Sequence, residues 1–137
     1  MSNNSIVRIA LLFAALGAAT VSNAEVVVVV HPSNSVASMS AAQVSDVFLG
    51  KTTGLSPIDQ AESSGVRSEF YQKVTGKDAA QVKAIWTRLI FTGKATPPKE
   101  VAASADVKKA VASDPKAIGY MEKAAVDESV KVVFTAG

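Results

Sequence analysis

Apolar and polar positions change period several times along the chain, and each change marks an element. Val26–Val30 is an unbroken β-branched run. Continuous apolar residues predict a strand covered on both faces, as in an α/β sheet. The run also has the composition of an aggregation-prone segment, so the fold has to cover it. His31-Pro32-Ser33-Asn34 ends it. The period then becomes helical. Ser40 and Gln43 have capping-box spacing, Met39 and Val44 fit a hydrophobic staple, Val44, Val47 and Phe48 form the inner stripe, and Gly50 is a natural stop. Lys51 to Ser56 reads as loop and Pro57-Ile58 as the start of a short strand.

A second helix is predicted from about Ser64 to Val74, ended by Gly76, and a third after Asp78, with Gln81 completing another capping box. Val82, Ile85, Trp86, Leu89 and Ile90 recur at helical spacing, which makes Trp86, the single tryptophan, a core residue. Gly93 to Lys99, with Pro97-Pro98, reads as loop. Ser104 is expected to cap a short helix with Val107, Ala110 and Val111 inside, closed by Asp114-Pro115. Ala117–Met121 and Val130–Phe134 read as strands, the first with Gly119 at a place of close packing. Strands alternating with helices give an α/β class, a small mixed sheet flanked by helices.

The first 24 residues stand outside this pattern. Arg8, the apolar stretch Ile9–Ala19 and the small residues of Ser22-Asn23-Ala24 have the layout of a cleavable secretory signal peptide. Cleavage there leaves Glu25–Gly137 as a single domain with room for one core. Without Arg8 the formal charge of +2 becomes +1, and the charges are dispersed, which argues against a nucleic-acid partner. There is no cysteine, hence no disulfide or thiolate metal site. A secreted domain that needs no disulfide suits a periplasm.

The candidate chemistry lies at Glu62-Ser63-Ser64-Gly65-Val66-Arg67, where strand gives way to helix. The first turn of a helix presents unpartnered N–H groups at the positive end of the helix dipole. A Ser-Gly turn there caps the helix and is also suited to holding an anion. Ser63, Ser64, Gly65 and Val66 are the candidate donors, with Arg67 as the nearest cation. Ser33 and Asn34, after the first strand, are candidates for the same rim, because ligands of open α/β sheets gather beyond the carboxyl ends of strands.

Several segments resemble phosphate-binding proteins of ABC transporters. Ser40–Lys51 is similar to their helix followed by Phe-x-Gly-Lys, Ile90-Phe91-Thr92-Gly93-Lys94 with Pro97-Pro98 to a segment of the small members, and Ala117-Ile118-Gly119-Tyr120 to their Gly-x-Ile-Gly-Tyr strand. Ser63-Ser64-Gly65-Val66 lies where that family carries its Ser-Gly-Thr phosphate loop. The resemblance runs from about residue 26 to 134. It implies one lobe of a type 2 periplasmic binding protein (PstS-like), an inorganic phosphate or similar oxyanion as ligand, an ABC permease or other periplasmic or membrane protein as partner, and no cofactor. Two positions differ: Asp59-Gln60 stands where the full-length family has an arginine, and Val66 replaces the loop threonine.

Other constellations carry less. One histidine excludes two-histidine zinc motifs, and Walker, Rossmann and Gly-x-Ser-x-Gly signatures are absent. His31 reads as structural, Asp59 and Glu62 as solvated carboxylates of a polar loop, Tyr71 and Tyr120 as half-buried with their hydroxyls at the edge, and Lys108-Lys109 as a solvated helix face. No nucleophile–base pair is visible, which argues against a hydrolase. The rival to the anion-binding module is an interaction or sensory domain that keeps the lobe without its ligand and docks a protein, or a second copy of itself, on its exposed face.

Overall fold

The computed structural model describes residues 25–136; the leader assigned to residues 1–24 lies outside the described residues. Five strands, β1 (Val26–Val30), β2 (Ser56–Gln60), β3 (Lys99–Val101), β4 (Ala117–Glu122) and β5 (Lys131–Ala136), form one sheet in the order β3-β2-β4-β1-β5. Four α-helices accompany them: α1 (Ala41–Phe48), α2 (Gly65–Thr75), α3 (Ala79–Phe91) and α4 (Ser104–Ala112). The sheet is mixed. β2 is parallel to β3 and β4, whereas β1 is antiparallel to β4 and β5, with an irregularity in the β5 register at Val28/Val29.

The five valines of β1 are all buried because the sheet is covered on both sides. Val26, Val28 and Val30 join Phe48, Phe70, Tyr71, Trp86, Ile118 and Tyr120 beneath α1, α2 and α3. Val27 and Val29 join Ile58, Met121 and the Val107–Val111 stripe of α4. Burial of a valine stabilises by roughly 1.5–3 kcal/mol, so this one strand anchors much of the core. On the α4 side Gly119 admits the helix: a Cβ there would stand 2.5 Å from Val107 Cγ1.

The helix starts form as their sequences direct. Both capping boxes are present, Ser40 with Gln43 and Asp78 with Gln81, and α2 ends at Gly76, which has φ of 69°. Trp86 is 9% exposed, and its Nε1 donates to Phe48 O at 2.8 Å, linking α3 to the end of α1.

Four expectations are corrected. The expected loop gives way at its last residue, Lys99, to β3, a three-residue edge strand with two charged residues that the chain pattern does not announce. Ala103, not Ser104, is the N-cap of α4; the Ser104 hydroxyl instead accepts from Glu122 N and Gln60 Nε2. Ile90, expected on the inner stripe, is 45% exposed. Lys108 is not merely solvated, since its Nζ donates to Asp127 Oδ2 at 3.0 Å.

Candidate functional site

β2, β3 and β4 all end at the same edge of the sheet, where Ala61 N donates to Val101 O at 2.9 Å and Ser64 N to Ala61 O at 2.9 Å. These bonds fold residues 61–64 into a tight turn that delivers the chain into α2. Ser64 is the N-cap, in extended conformation, with its Oγ accepting from Arg67 N at 3.4 Å. The same hydroxyl donates to Gln60 Oε1 at 2.7 Å. Among the described residues no hydrogen bond reaches the N–H groups of Gly65 or Val66. A Cβ on Gly65 would meet nothing within 4 Å, so the helix start is uncrowded on the side of that carbon. Ser63 is exposed on the same turn.

Beneath the turn lies a polar network. Asp59, at 4% exposure, and Gln60 are buried at the end of β2 rather than in a polar loop. The Asp59 carboxylate accepts from Tyr71 OH at 2.8 Å, from Gln60 N at 2.9 Å and, in a short bond, from Tyr120 OH. Both tyrosines are therefore fully buried, with their hydroxyls turned inward rather than to the surface. Phe70 stacks on Tyr120 with ring centres 4.0 Å apart, and Phe48 packs edge-on against both. Burial pushes both phenols well above their ordinary range, and the Asp59 charge and its hydrogen bonds push them further.

Arg67 belongs to this network. It is 7% exposed, not turned to solvent. Its Nη1 donates to Gln60 O at 2.7 Å and lies 3.4 Å from Glu100 Oε2 and 3.7 Å from Asp59 Oδ2. The guanidinium also sits over the Tyr71 ring at 5.8 Å. Burial opposes its charge, but Asp59, the two tyrosines and Glu100 outweigh that and raise its pKa. Its contacts commit this cation to the strand end, leaving the free donors of the turn without it.

Ser63, Ser64, Gly65, Val66 and Arg67 thus stand together, and Ser33 and Asn34 stand elsewhere. β1 runs opposite to β4, pairing Val30 with Ile118, so its carboxyl end meets the start of β4. Asn34 Nδ2 donates to Pro115 O at 3.2 Å, and its carbonyl receives Lys131 Nζ. This loop occupies the far rim of the sheet from the Ser64 turn. It also holds a contact unseen in the sequence: Ser33 Oγ and Ser33 N both lie on His31 Nδ1, at 2.8 and 3.0 Å. Both bonds close a turn between residues two apart. Sequence reasoning missed Asp59, Tyr71, Tyr120 and Glu100 as members of the Arg67 network; the one available signal was a carboxylate directly following an apolar strand start.

Among the described residues no cluster of His, Asp and Glu is placed to hold a metal ion, and no helix is long and apolar enough to cross a membrane.

No protein-family model matches the sequence, and no curated protein matches it. Solved structures do match the fold. A phosphate ABC transporter substrate-binding protein with bound phosphate from Clostridium perfringens superposes with a TM-score of 0.67 at 22% identity, over 80% of this chain and 44% of that one. An ABC-type phosphate transport receptor from Vibrio cholerae gives 0.64 at 18%, over 80% and 45%. PstS from Borrelia burgdorferi gives 0.63 at 12%, over 81% and 47%. The chain spans less than half the length of each, and its fold is that of one lobe of phosphate-transport binding proteins.

Proposed function

We propose that this domain binds an inorganic oxyanion, phosphate first, at the amino end of α2, as a substrate-binding component or accessory of a phosphate ABC transport system in the periplasm. The observation that carries this reading is the pair of N–H donors on Gly65 and Val66 that have no hydrogen-bond partner among the described residues, at the carboxyl edge of the sheet. Its fold neighbours include a phosphate-bound substrate-binding protein, which supports the choice of ligand. Binding rather than catalysis fits a site whose one buried carboxylate is saturated by two phenols and a backbone N–H.

Affinity is expected to be modest. Each hydrogen bond to a charged acceptor contributes about 1.5–3 kcal/mol, and association costs at least about 4 kcal/mol of it. Arg67 adds little while it remains bonded to Gln60 O, and Glu100 opposes an approaching dianion. Calorimetric titration with phosphate and sulfate tests the reading. Gly65→Ala adds a methyl group beside the proposed anion site and meets no other protein atom within 4 Å. It is expected to reduce affinity at least tenfold with little change in melting temperature. No heat or thermal shift with wild-type protein at millimolar phosphate or sulfate would reject anion binding by the lobe.

A second reading is a protein-interaction lobe without a ligand. The commitment of Arg67 and of the Ser64 hydroxyl to Gln60 favours it. On that reading Ser64→Ala costs about 1 kcal/mol of stability through the lost cap and has no phosphate binding to alter.

A further inference from the structure

The outer side of α3 carries an apolar stripe that nothing in the described fold covers. Val82, Ile85, Trp86 and Leu89 pack inward. Ala80, Ala84, Thr87 and Phe91 follow one another at helical spacing and, at about 100° per residue, fall on the opposite side. They line a shallow hollow flanked by Lys83 and Arg88. Phe91 is 89% exposed at its end, with Ile90 beside it. A helix that is apolar on two faces is ordinarily buried on both.

Charge selects among the occupants. α3 contains no carboxylate, and among the described residues neither Lys83 nor Arg88 is ion-paired. A second copy packed antiparallel would set Phe91 over the other Ala80, but it would also bring the Lys83 side chains of both copies to one flank of the seam and the Arg88 side chains to the other, with no acid of α3 to offset them. Like charges held together cost affinity.

We propose that this face docks an acidic protein partner: an amphipathic helical segment whose apolar side chains fill the hollow over Ala84 and enclose Phe91, and whose carboxylates meet Lys83 and Arg88. Exposed aromatics and arginines are enriched at protein interfaces, and an amphipathic helix laid along an apolar hollow is the mode that fits this face. No residue of the Ser63–Val66 turn lines this hollow, so the proposal stands apart from anion binding.

Fluorescence anisotropy with two labelled alanine-based helical peptides tests it. Both carry leucines at i, i+3, i+4 and i+7; one has glutamates flanking them and the other lysines. The glutamate peptide is expected to bind at least tenfold more tightly, more weakly as salt rises. Phe91→Ala should weaken it at least fivefold, and the double variant Lys83→Glu/Arg88→Glu should reverse the preference. All three side chains are exposed, so unchanged melting curves and an unchanged phosphate titration are expected in these variants. Absent or equal binding of the two peptides, or indifference to both variants, would overturn the proposal. Capture by phosphatidylglycerol vesicles through Phe91 without peptide binding would overturn it in favour of a membrane surface. A concentration-dependent dimer abolished by Phe91→Ala would overturn it in favour of self-association.

Discussion

Asp59 joins three elements through one buried carboxylate. It takes hydrogen bonds from two buried phenols and sits 3.7 Å from a buried guanidinium whose Nε lacks a hydrogen-bond partner among the described residues. Asp59→Ala leaves Arg67 with only the half-exposed Glu100 as counter-charge, and a loss of about 3–5 kcal/mol in urea denaturation is expected. Tyr71→Phe removes one donor and should cost about 1–3 kcal/mol. At the other extreme of burial, Asp127 is exposed. Bonds from Ser129 Oγ and N, and then from Lys108, hold its carboxyl down from 3.8 to about 2. Its folded pKa lies below the unfolded value, so ionised Asp127 stabilises the fold above the unfolded pKa. That contribution fades as pH falls from near 3.8 toward about 2. Carboxyl titration by NMR should show the low value, and Ser129→Ala should move it up toward the ordinary range. At this scale the turn serines were legible because capping is local. The burial of Asp59 was not, because its phenol partners lie 12 and 61 residues away.

At the scale of elements, helices that begin with a local cap were legible in the chain: Ser40 with Gln43, Ser64, and Asp78 with Gln81 all announce themselves within four residues. β3 gave no such signal. It is short, charged at Lys99 and Glu100, and a strand only because β2 offers it a parallel edge. The α4–β4 contact makes the sharpest element-level test. Gly119→Ala drives a methyl into Val107, and overpacking of this kind should cost about 1–3 kcal/mol. Adding Val107→Ala should recover part of the loss, measured as a non-additive double-mutant cycle; strict additivity would mean that the helix simply moves away.

At the scale of the whole molecule, the α/β class and the two-sided burial of Val26–Val30 could be read from the sequence. The strand directions could not. Placing Ser33 and Asn34 beside Ser64 assumed that β1 runs the same way as β2, but β1 is antiparallel to its neighbours, and the two loops fall on opposite rims. The strand order also has a temporal side. Val26 pairs with Glu122 and with Ala136, so the first strand of the described chain finds its partners only at the other end. Removing the residues after Glu128 should therefore leave a protein that neither melts cooperatively nor stays dispersed, judged by calorimetry and light scattering. Chains are made at about 5–20 residues per second, so five consecutive valines wait several seconds, unpaired, for β4 and β5 to exist. During that interval the segment most prone to stick to its own kind has nothing to pair with, and its fate depends on whatever attends the nascent chain.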